Sequence, residues 1–459
     1  MAGIGFQLRK ILQRDSLTGD LSAYVYAGII SAGPLILSIL GILLIGVLSL
    51  GVVIPPQLIV QFQISVTYLI AFSLVLTGLV QLLFTRFISD RLFEGRHDRV
   101  LPNYNGIVTV TTLTAGTVGL GLALTVFDGT GLLYRLLMVM GFVVLCNLWL
   151  CIIFLASLKR YAVILLAFFV GYVATVGIAV GLRGYGLEGL MGGFVAGHVV
   201  MLGWMSTAIL RAYVDDPSQY LDFQVFDRRY VYPSLMLTGL FFNLGVWLDK
   251  FMFWFSHAGH AVIGPLRASV IYDLPIFLSY LCIIPGMAVF LLRLETDFAD
   301  SYNGYYWAVR NGRDLSHIRQ MRDEMVYSAR TGLYEILKIQ MLVTLLIFAF
   351  GDNLLESAGI SVLYFPLLKI DVVAASLQVL FLGCLNIFLY LDRRRIVLIL
   401  SALFVCLNGL LTWGTLAIGP DAYGYGFAGA LLIVVLLAVF MLNRSLGRLE
   451  YETYMLQQM

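Results

Sequence analysis

Charge is scarce in this sequence. Only 12% of its 459 residues are Asp, Glu, Lys or Arg, against about 25% in an ordinary soluble domain, which excludes a soluble globular protein. Histidine and cysteine are equally sparse, at five each. The cysteines (Cys146, Cys151, Cys282, Cys384, Cys406) have no C-x-x-C spacing, so neither disulfides nor a zinc site is indicated. His257 and His260 lack a third ligand nearby. No G-x-x-x-x-G-K and no D-x-D occurs, and no soluble loop is large enough for a nucleotide-sugar domain. These absences exclude internal ATP hydrolysis and argue against a glycosyltransferase. "GYGLEG" from Gly184 fits G-x-G-x-x-G, but no strand precedes it and it sits at an outer turn, so no cofactor is expected. The net charge of +2 arises from basic loops and does not point to nucleic acid.

What is abundant is apolar sequence: 60% of residues are hydrophobic and the mean hydropathy is +0.91. A span needs about 20 apolar residues. Twelve such stretches are predicted, at 21–53, 58–88, 107–127, 132–158, 161–182, 187–210, 231–256, 262–292, 332–351, 372–391, 396–418 and 423–442. Lys and Arg cluster at the N-terminus and in every second loop, from Arg9 and Lys10 through Arg91, Lys159, Arg211, Arg293 and Arg393 to Arg444. Basic loops resist translocation, so both termini are expected in the cytoplasm. The first twenty residues, with "GIGFQLRKILQR", read as a basic amphipathic helix on the cytoplasmic face or as a positive leader that only sets topology.

Self-similarity divides the chain. "YVYAGIISAG" from Tyr24 matches "YVYPSLMLTG" from Tyr230, "KRYAVILLAFFV" from Lys159 resembles "RRIVLILSALFV" from Arg394, and "GYGLEG" matches "GYGFAG" from Gly424. Three matches in preserved order predict an all-α integral membrane protein with twelve transmembrane helices in two six-helix pseudo-symmetric bundles. The expected organisation is an N-terminal amphipathic helix (1–20), a first bundle (21–211), a cytoplasmic linker (212–230), a second bundle (231–445) with a cytoplasmic insertion at 293–331, and a cytoplasmic tail (446–459). Gly189, Gly193 and Gly197 have the spacing that lets the sixth span approach a neighbour closely. Pro34, Pro265, Pro275 and Pro285 are expected to bend or break their helices.

In "FFNLGVWLDKFMFWF", Asn243, Trp247, Lys250, Trp254 and His257 recur at steps of four and three, which places them on one helical stripe. An amide, indoles and an ammonium suit a substrate cavity better than lipid, and Trp is also an ordinary packing residue. Asp249 lies at the edge of that stripe, and Asp273 on the next span is at matching depth. The three charges are expected to form one group. A salt bridge stapling the two spans and a site for a polar ligand or coupling ion both account for them. Arg267, Lys369 and Asp371, nearer span ends, read as snorkelling anchors. In "DLSHIRQMRDEMVYSAR", Leu315, Ile318, Met321, Met325 and Val326 form an apolar face beside Arg319 and Arg322, with Asp314 placed to cap the helix. That segment reads as an interfacial helix, either docking a partner or joining the two bundles on anionic headgroups.

"GIGFQLRKILQRDS", "YAGIISAGP" and "SDRLFEG" resemble the PelG family over essentially the whole chain. This family is the polytopic inner-membrane subunit of the Pel exopolysaccharide system, within the multidrug, oligosaccharidyl-lipid and polysaccharide flippase superfamily. The resemblance implies a two-lobed, alternating-access exporter of an amino-sugar-rich polysaccharide or lipid-linked precursor for the biofilm matrix. It also implies partners: a cytoplasmic glycosyltransferase and membrane subunits, one of which senses cyclic-di-GMP. It carries no substrate residues over. The alternatives are a major facilitator transporter of a small solute and a polytopic glycosyltransferase or polymerase. "SDRLFEGRHDR" departs from the major facilitator loop motif by two extra residues and by His97-Asp98.

Overall fold

The computed structural model describes residues 17–213 and 219–455; most of the expected N-terminal amphipathic helix lies outside them. The chain folds into α1 (Leu17–Ser49), α2 (Gln57–Phe93), α3 (Val100–Thr125), α4 (Leu132–Ser157), α5 (Tyr161–Leu182), α6 (Gly186–Ala212) and α7 (Pro233–Trp254). A small hairpin, β1 (His260–Ile263) and β2 (Leu266–Ala268), precedes α8 (Val270–Leu281), α9 (Ile284–Leu292), α10 (Ala299–Arg310), α11 (Leu315–Ser357), α12 (Phe365–Tyr390), α13 (Arg394–Ile418), α14 (Tyr425–Gly447) and α15 (Leu449–Met455). Among the described residues, eleven helical stretches are long and apolar enough to cross a membrane, with Tyr161–Ala212 counted as one. This is a multi-pass membrane protein. Two compact units form: one from Gly33–Trp247 and Phe253–Ser269, the other from the described residues up to Ala32, Leu248–Met252 and Val270 onward.

In the first unit, α5 and α6 pack through the expected glycine stripe. A Cβ on Gly193 would lie 2.3 Å from the Ala179 Cα, and one on Gly197 would lie 2.0 Å from the Thr175 Oγ1. Small residues thus let the two backbones touch, where apolar driving force between helices in lipid is weak. The α2–α7 approach is as close: a Cβ on Gly239 would meet the Gly78 carbonyl oxygen at 2.1 Å. The linker is stitched down over its C-terminal part. Asp222 N donates to the Pro102 carbonyl at 3.0 Å, Asn103 Oδ1 accepts from Val225 N at 2.9 Å, and Arg99 pairs with Asp222 at 3.2 Å.

The turns that end α4 and α12 are alike in detail. Each helix is followed by Leu, then a residue at positive φ, Lys159 (56°) or Asp392 (55°), then an Arg that opens the next helix. The hydrogen bonds correspond as well: Arg160 N to Leu155 O at 2.8 Å and Arg393 N to Phe388 O at 2.9 Å. These turns align 159 with 392, two residues away from the register that side-chain similarity suggests.

Three expectations are corrected. The stretch read as the start of the eighth span is the β-hairpin, because Gly264 at φ 52° and Pro265 make a two-residue turn that no helix accommodates. Pro265 is therefore a turn residue; Pro34 and Pro275 lie inside helices, and Pro285 opens α9 after a break. Lastly, the 293–331 insertion is helical almost throughout. A π-helical turn, Arg293–Phe298, joins α9 to α10, and the segment expected as a separate interfacial helix is the start of the 43-residue α11. No proline interrupts α11, and a seam of Ile318, Met325, Ala329, Ile336 and Gln340 is buried along it. Asp314 caps it as expected, accepting from His317 N. That exposed carboxyl is held below its usual value by the Ser316 hydroxyl and then the His317 amide, so the cap is present at neutral pH and is lost only as pH falls through the lowered value.

Gly197→Val should lower the thermal midpoint of the purified protein, because overpacking costs about 1–3 kcal/mol and here the neighbour is a helix backbone. Gly203→Val, with nothing within 4 Å of its Cβ position, serves as the control and should be silent. Equal midpoints would show that α5 and α6 do not depend on this contact.

Candidate functional site

The charges in α7 belong to a buried polar group within the second unit. Asp249 is fully buried and Lys250 is 3% exposed. Successive helical residues diverge by about 100°, yet the Lys250 ammonium returns to its neighbour, with Nζ 3.1 Å from Asp249 Oδ2 and 3.3 Å from Oδ1. Tyr272 on α8 donates its hydroxyl to Oδ2 at 2.6 Å, and Asn408 on α13 donates to Oδ1 at 3.4 Å. Asn408 in turn accepts from Thr412 at 2.9 Å. The ammonium also sits 4.9 Å from the Phe427 ring centre and 5.2 Å from that of Tyr280, where ring faces attract a desolvated cation. Asp249 is thus a carboxylate with three different donors.

Asp371, read from sequence as a snorkelling anchor, is instead fully buried on α12. Among the described residues, neither of its oxygens has a hydrogen-bond partner. Sequence reasoning also passed over Tyr272, Tyr280 and Asn408. Asn408 and Thr412, four residues apart in an otherwise apolar span, were the available signal. Asp273 is half-buried beside Tyr272, which is the α8 residue that reaches Asp249.

The rest of the α7 stripe is held in the first unit. Asn243 donates to Gln81 Oε1 at 3.3 Å, and Gln81 donates to Thr77 at 3.0 Å. Trp247 is half-buried, with its ring centre 6.4 Å from that of Trp254. Trp254 is 1% exposed and stacks on Tyr68 at 4.5 Å. Trp254 is therefore a packed ring rather than an open platform. Arg267 caps the end of α7, donating to the carbonyls of Trp254 at 2.9 Å and Gly259 at 2.8 Å, which serves the orphan carbonyls of a helix end. Tyr68 Oη donates to the Arg267 carbonyl at 2.9 Å and fixes the hairpin.

A second polar network surrounds the π-helical turn of the second unit. Arg293 pairs with Asp297 at 2.8 Å and with Glu335 of α11. Glu295 accepts from Asn386 at 2.8 Å and from the Tyr390 hydroxyl at 3.3 Å. Sequence reading counted Arg293 only as a topology signal. Farther along, Arg322 pairs with Asp323 at 2.6 Å and with Glu450 of α15, while Arg319 is 58% exposed and 3.8 Å from Glu450. Ile318 is buried and Leu315 exposed. Among the described residues no group of three or more His, Cys, Asp or Glu is arranged to hold a metal ion.

A family model described as "PelG: Putative exopolysaccharide Exporter (EPS-E)" matches residues 1–454. The chain belongs to the PelG family. No curated protein matches it. In fold it is similar to an outward-facing multidrug resistance MATE family transporter of the MOP superfamily, with 13% identity and a TM-score of 0.68 over 93% of this chain and 96% of that one. The Vibrio cholerae MATE transporter VcmN is similar at 14% identity and a TM-score of 0.63, over 96% of this chain and 98% of that one. A MOP superfamily transporter from Pyrococcus furiosus is similar at 12% identity and a TM-score of 0.62, over 93% and 96%. This PelG-family chain therefore has a MATE-like transporter fold and is not an enzyme.

Lys250→Met leaves the Asp249 carboxylate buried without its cation. Removing one partner of a buried pair costs about 3–5 kcal/mol, so the thermal midpoint should fall sharply. Adding Asp249→Asn, which removes the orphaned charge and keeps an acceptor for Tyr272, should recover most of the loss. A double variant as unstable as the single one would show that Asp249 is not the charge Lys250 balances.

Proposed function

We propose that the chain exports an amino-sugar-rich exopolysaccharide, or its lipid-linked precursor, across the bacterial inner membrane by alternating access. The observation that carries this reading is the PelG family match over residues 1–454. The MATE-like fold supports it, as do the in-order sequence repeats, which are the pattern of transporters built from parallel halves. In this reading α5 and α6, separated by the 3₁₀ turn Arg183–Tyr185, are two crossings, and the chain has twelve spans in two bundles of six. The distribution of Lys and Arg then puts both termini in the cytoplasm.

The partners in this reading are a cytoplasmic glycosyltransferase and cyclic-di-GMP-sensing membrane subunits, which engage the cytoplasmic insertion around Leu315, Ile318, Arg319 and Arg322. The exposure of Arg319 and Leu315 supports that assignment. Asn243 and Trp247 are the candidate sugar contacts on α7, with Trp247 favoured because it is half-buried and sugars stack on accessible aromatic faces. The Asp249, Lys250 and Asp273 segment is the candidate polar site.

A strain lacking the protein should accumulate polymer in the cytoplasm. Absence of any polymer would indicate a role in synthesis or assembly instead. Trp247→Ala should reduce exported polymer severalfold at unchanged protein level, and normal export would remove Trp247 from the sugar path. Arg319→Glu should weaken co-purification with the glycosyltransferase or its membrane partners, with Glu450→Ala as the control for its intrachain neighbour. Undiminished co-purification would leave the insertion a joining element only.

A further inference from the structure

A cleft of about 530 Å³ opens on the first unit between the start of α2, the α3–α4 turn, the α5–α6 turn and the tip of the β-hairpin. That size falls within the range of about 300–1,000 Å³ typical of small-molecule sites. Its walls are pinned. Arg135 donates to the Thr130 carbonyl at 3.0 Å and holds the α3–α4 turn, Gln61 donates to the Val262 carbonyl at 3.1 Å and holds the hairpin, and Ser65 meets Tyr134 at 2.7 Å between α2 and α4. Gly129, Gly186 and Gly264, at φ of 95°, 67° and 52°, make the turns that line it. The shape is therefore set before a ligand arrives, which lowers the ordering cost of binding.

The charged residues of the lining are Asp128 and Glu188, with neither Lys nor Arg among them. Asp128 is 83% exposed, with Arg135 at 3.4 Å. Among the described residues Glu188 has no basic partner. Beside these acids stands the ring of Tyr185, 76% exposed. The second half supplies an internal control for Glu188. Its matching turn, "GYGFAG", repeats Tyr185 as Tyr425 and keeps the glycines, but has Ala428 where the first half has Glu188. A carboxylate in a first helical turn is favoured by the helix dipole, yet α14 forms with no acid there. The turn and its helix therefore do not require Glu188, and its charge is available to a ligand. Two acids are too few for a divalent metal, and among the described residues no third completes such a group.

We propose that this cleft is a binding site for a sugar unit that carries an ammonium group. Glu188 is the counter-ion of the ammonium, Asp128 adds to the attracting field, and the Tyr185 ring takes the apolar C–H face of the sugar. Binding stands on the cleft alone. Its place on the transport path rests on the export reading, in which the distribution of Lys and Arg puts the α5–α6 turn on the outer face; there the cleft holds the emerging glycan and opposes its return.

The test uses the full chain in nanodiscs of neutral lipid, titrated with a fluorescent glucosamine tetramer and with its N-acetylated counterpart. The glucosamine tetramer should bind, and the N-acetylated one should bind about tenfold or more weakly, the loss expected of one charge-assisted hydrogen bond. Glu188→Ala, which copies the residue at the matching position of the second half, and Tyr185→Ala should each weaken binding by a similar factor at an unchanged thermal midpoint. Glu356→Gln, at an exposed acid of α11 outside the cleft, should leave binding intact. No binding by the wild type, or wild-type affinity in Glu188→Ala, overturns the site. An equal loss in Glu356→Gln overturns it in favour of general attraction to acidic surface. Equal affinity for the two tetramers overturns the ammonium assignment. In the protein's own strain, Glu188→Ala should reduce exported polymer severalfold at unchanged protein level, and normal export with binding lost refutes the place on the transport path. If the wild-type strain exports no polymer, the export reading fails while the titration still decides the site.

Discussion

A carboxylate sequestered among hydrophobic side chains has to be supplied with donors by the protein itself, and that constraint organises the second unit. Asp249 draws in a lysine from its own helix, a tyrosine from α8 and an asparagine from α13. The tyrosine and the asparagine tie α8 and α13 to α7. Phe427 and Tyr280 then close the ammonium off with ring faces. The first unit is fixed by glycine contacts at Gly78, Gly193, Gly197 and Gly239 and by neutral bonds along α2, such as Ser65 to Tyr134 at 2.7 Å and Trp149 to Ser73 at 2.9 Å.

Much of this was legible in sequence because it rests on composition and short-range geometry. Long apolar runs set the spans, and the glycine spacing of α6 anticipated its seam. Asp314 announced the start of α11. The buried group was half visible. An acid and a base inside an apolar run are conspicuous, whereas Tyr272 and Asn408 look like ordinary membrane residues until the fold brings them to Asp249. Asp371 was misread for a physical reason: it is the seventh residue of α12, a depth from which a long side chain reaches an interface and a short aspartate does not. The hairpin was hidden because Val262, Ile263 and Leu266 are as apolar as a span.

The PelG family match and the MATE-like fold agree on membrane transport while sharing little sequence with solved transporters, at 11–14% identity. What persists at that distance is the fold. Within the chain, the turns at Lys159 and Asp392 show backbone geometry preserved while side chains differ. Their hydrogen bonds correspond one to one although the residues at positive φ carry opposite charges, so the constraint acts on the backbone path and leaves the side chain free to vary.

The contact between α2 and α7 has a mechanical side. With the Gly78 carbonyl against Gly239, and Asn243 held to Gln81 one turn on, these two helices have no side-chain layer between them to shear. Over that stretch the two backbones meet directly. The helical ladder, by contrast, is interrupted inside the second unit, at the Cys282–Ile283 break ahead of Pro285 and at the π-helical turn Arg293–Phe298, where backbone carbonyls are released from the regular i to i+4 pattern.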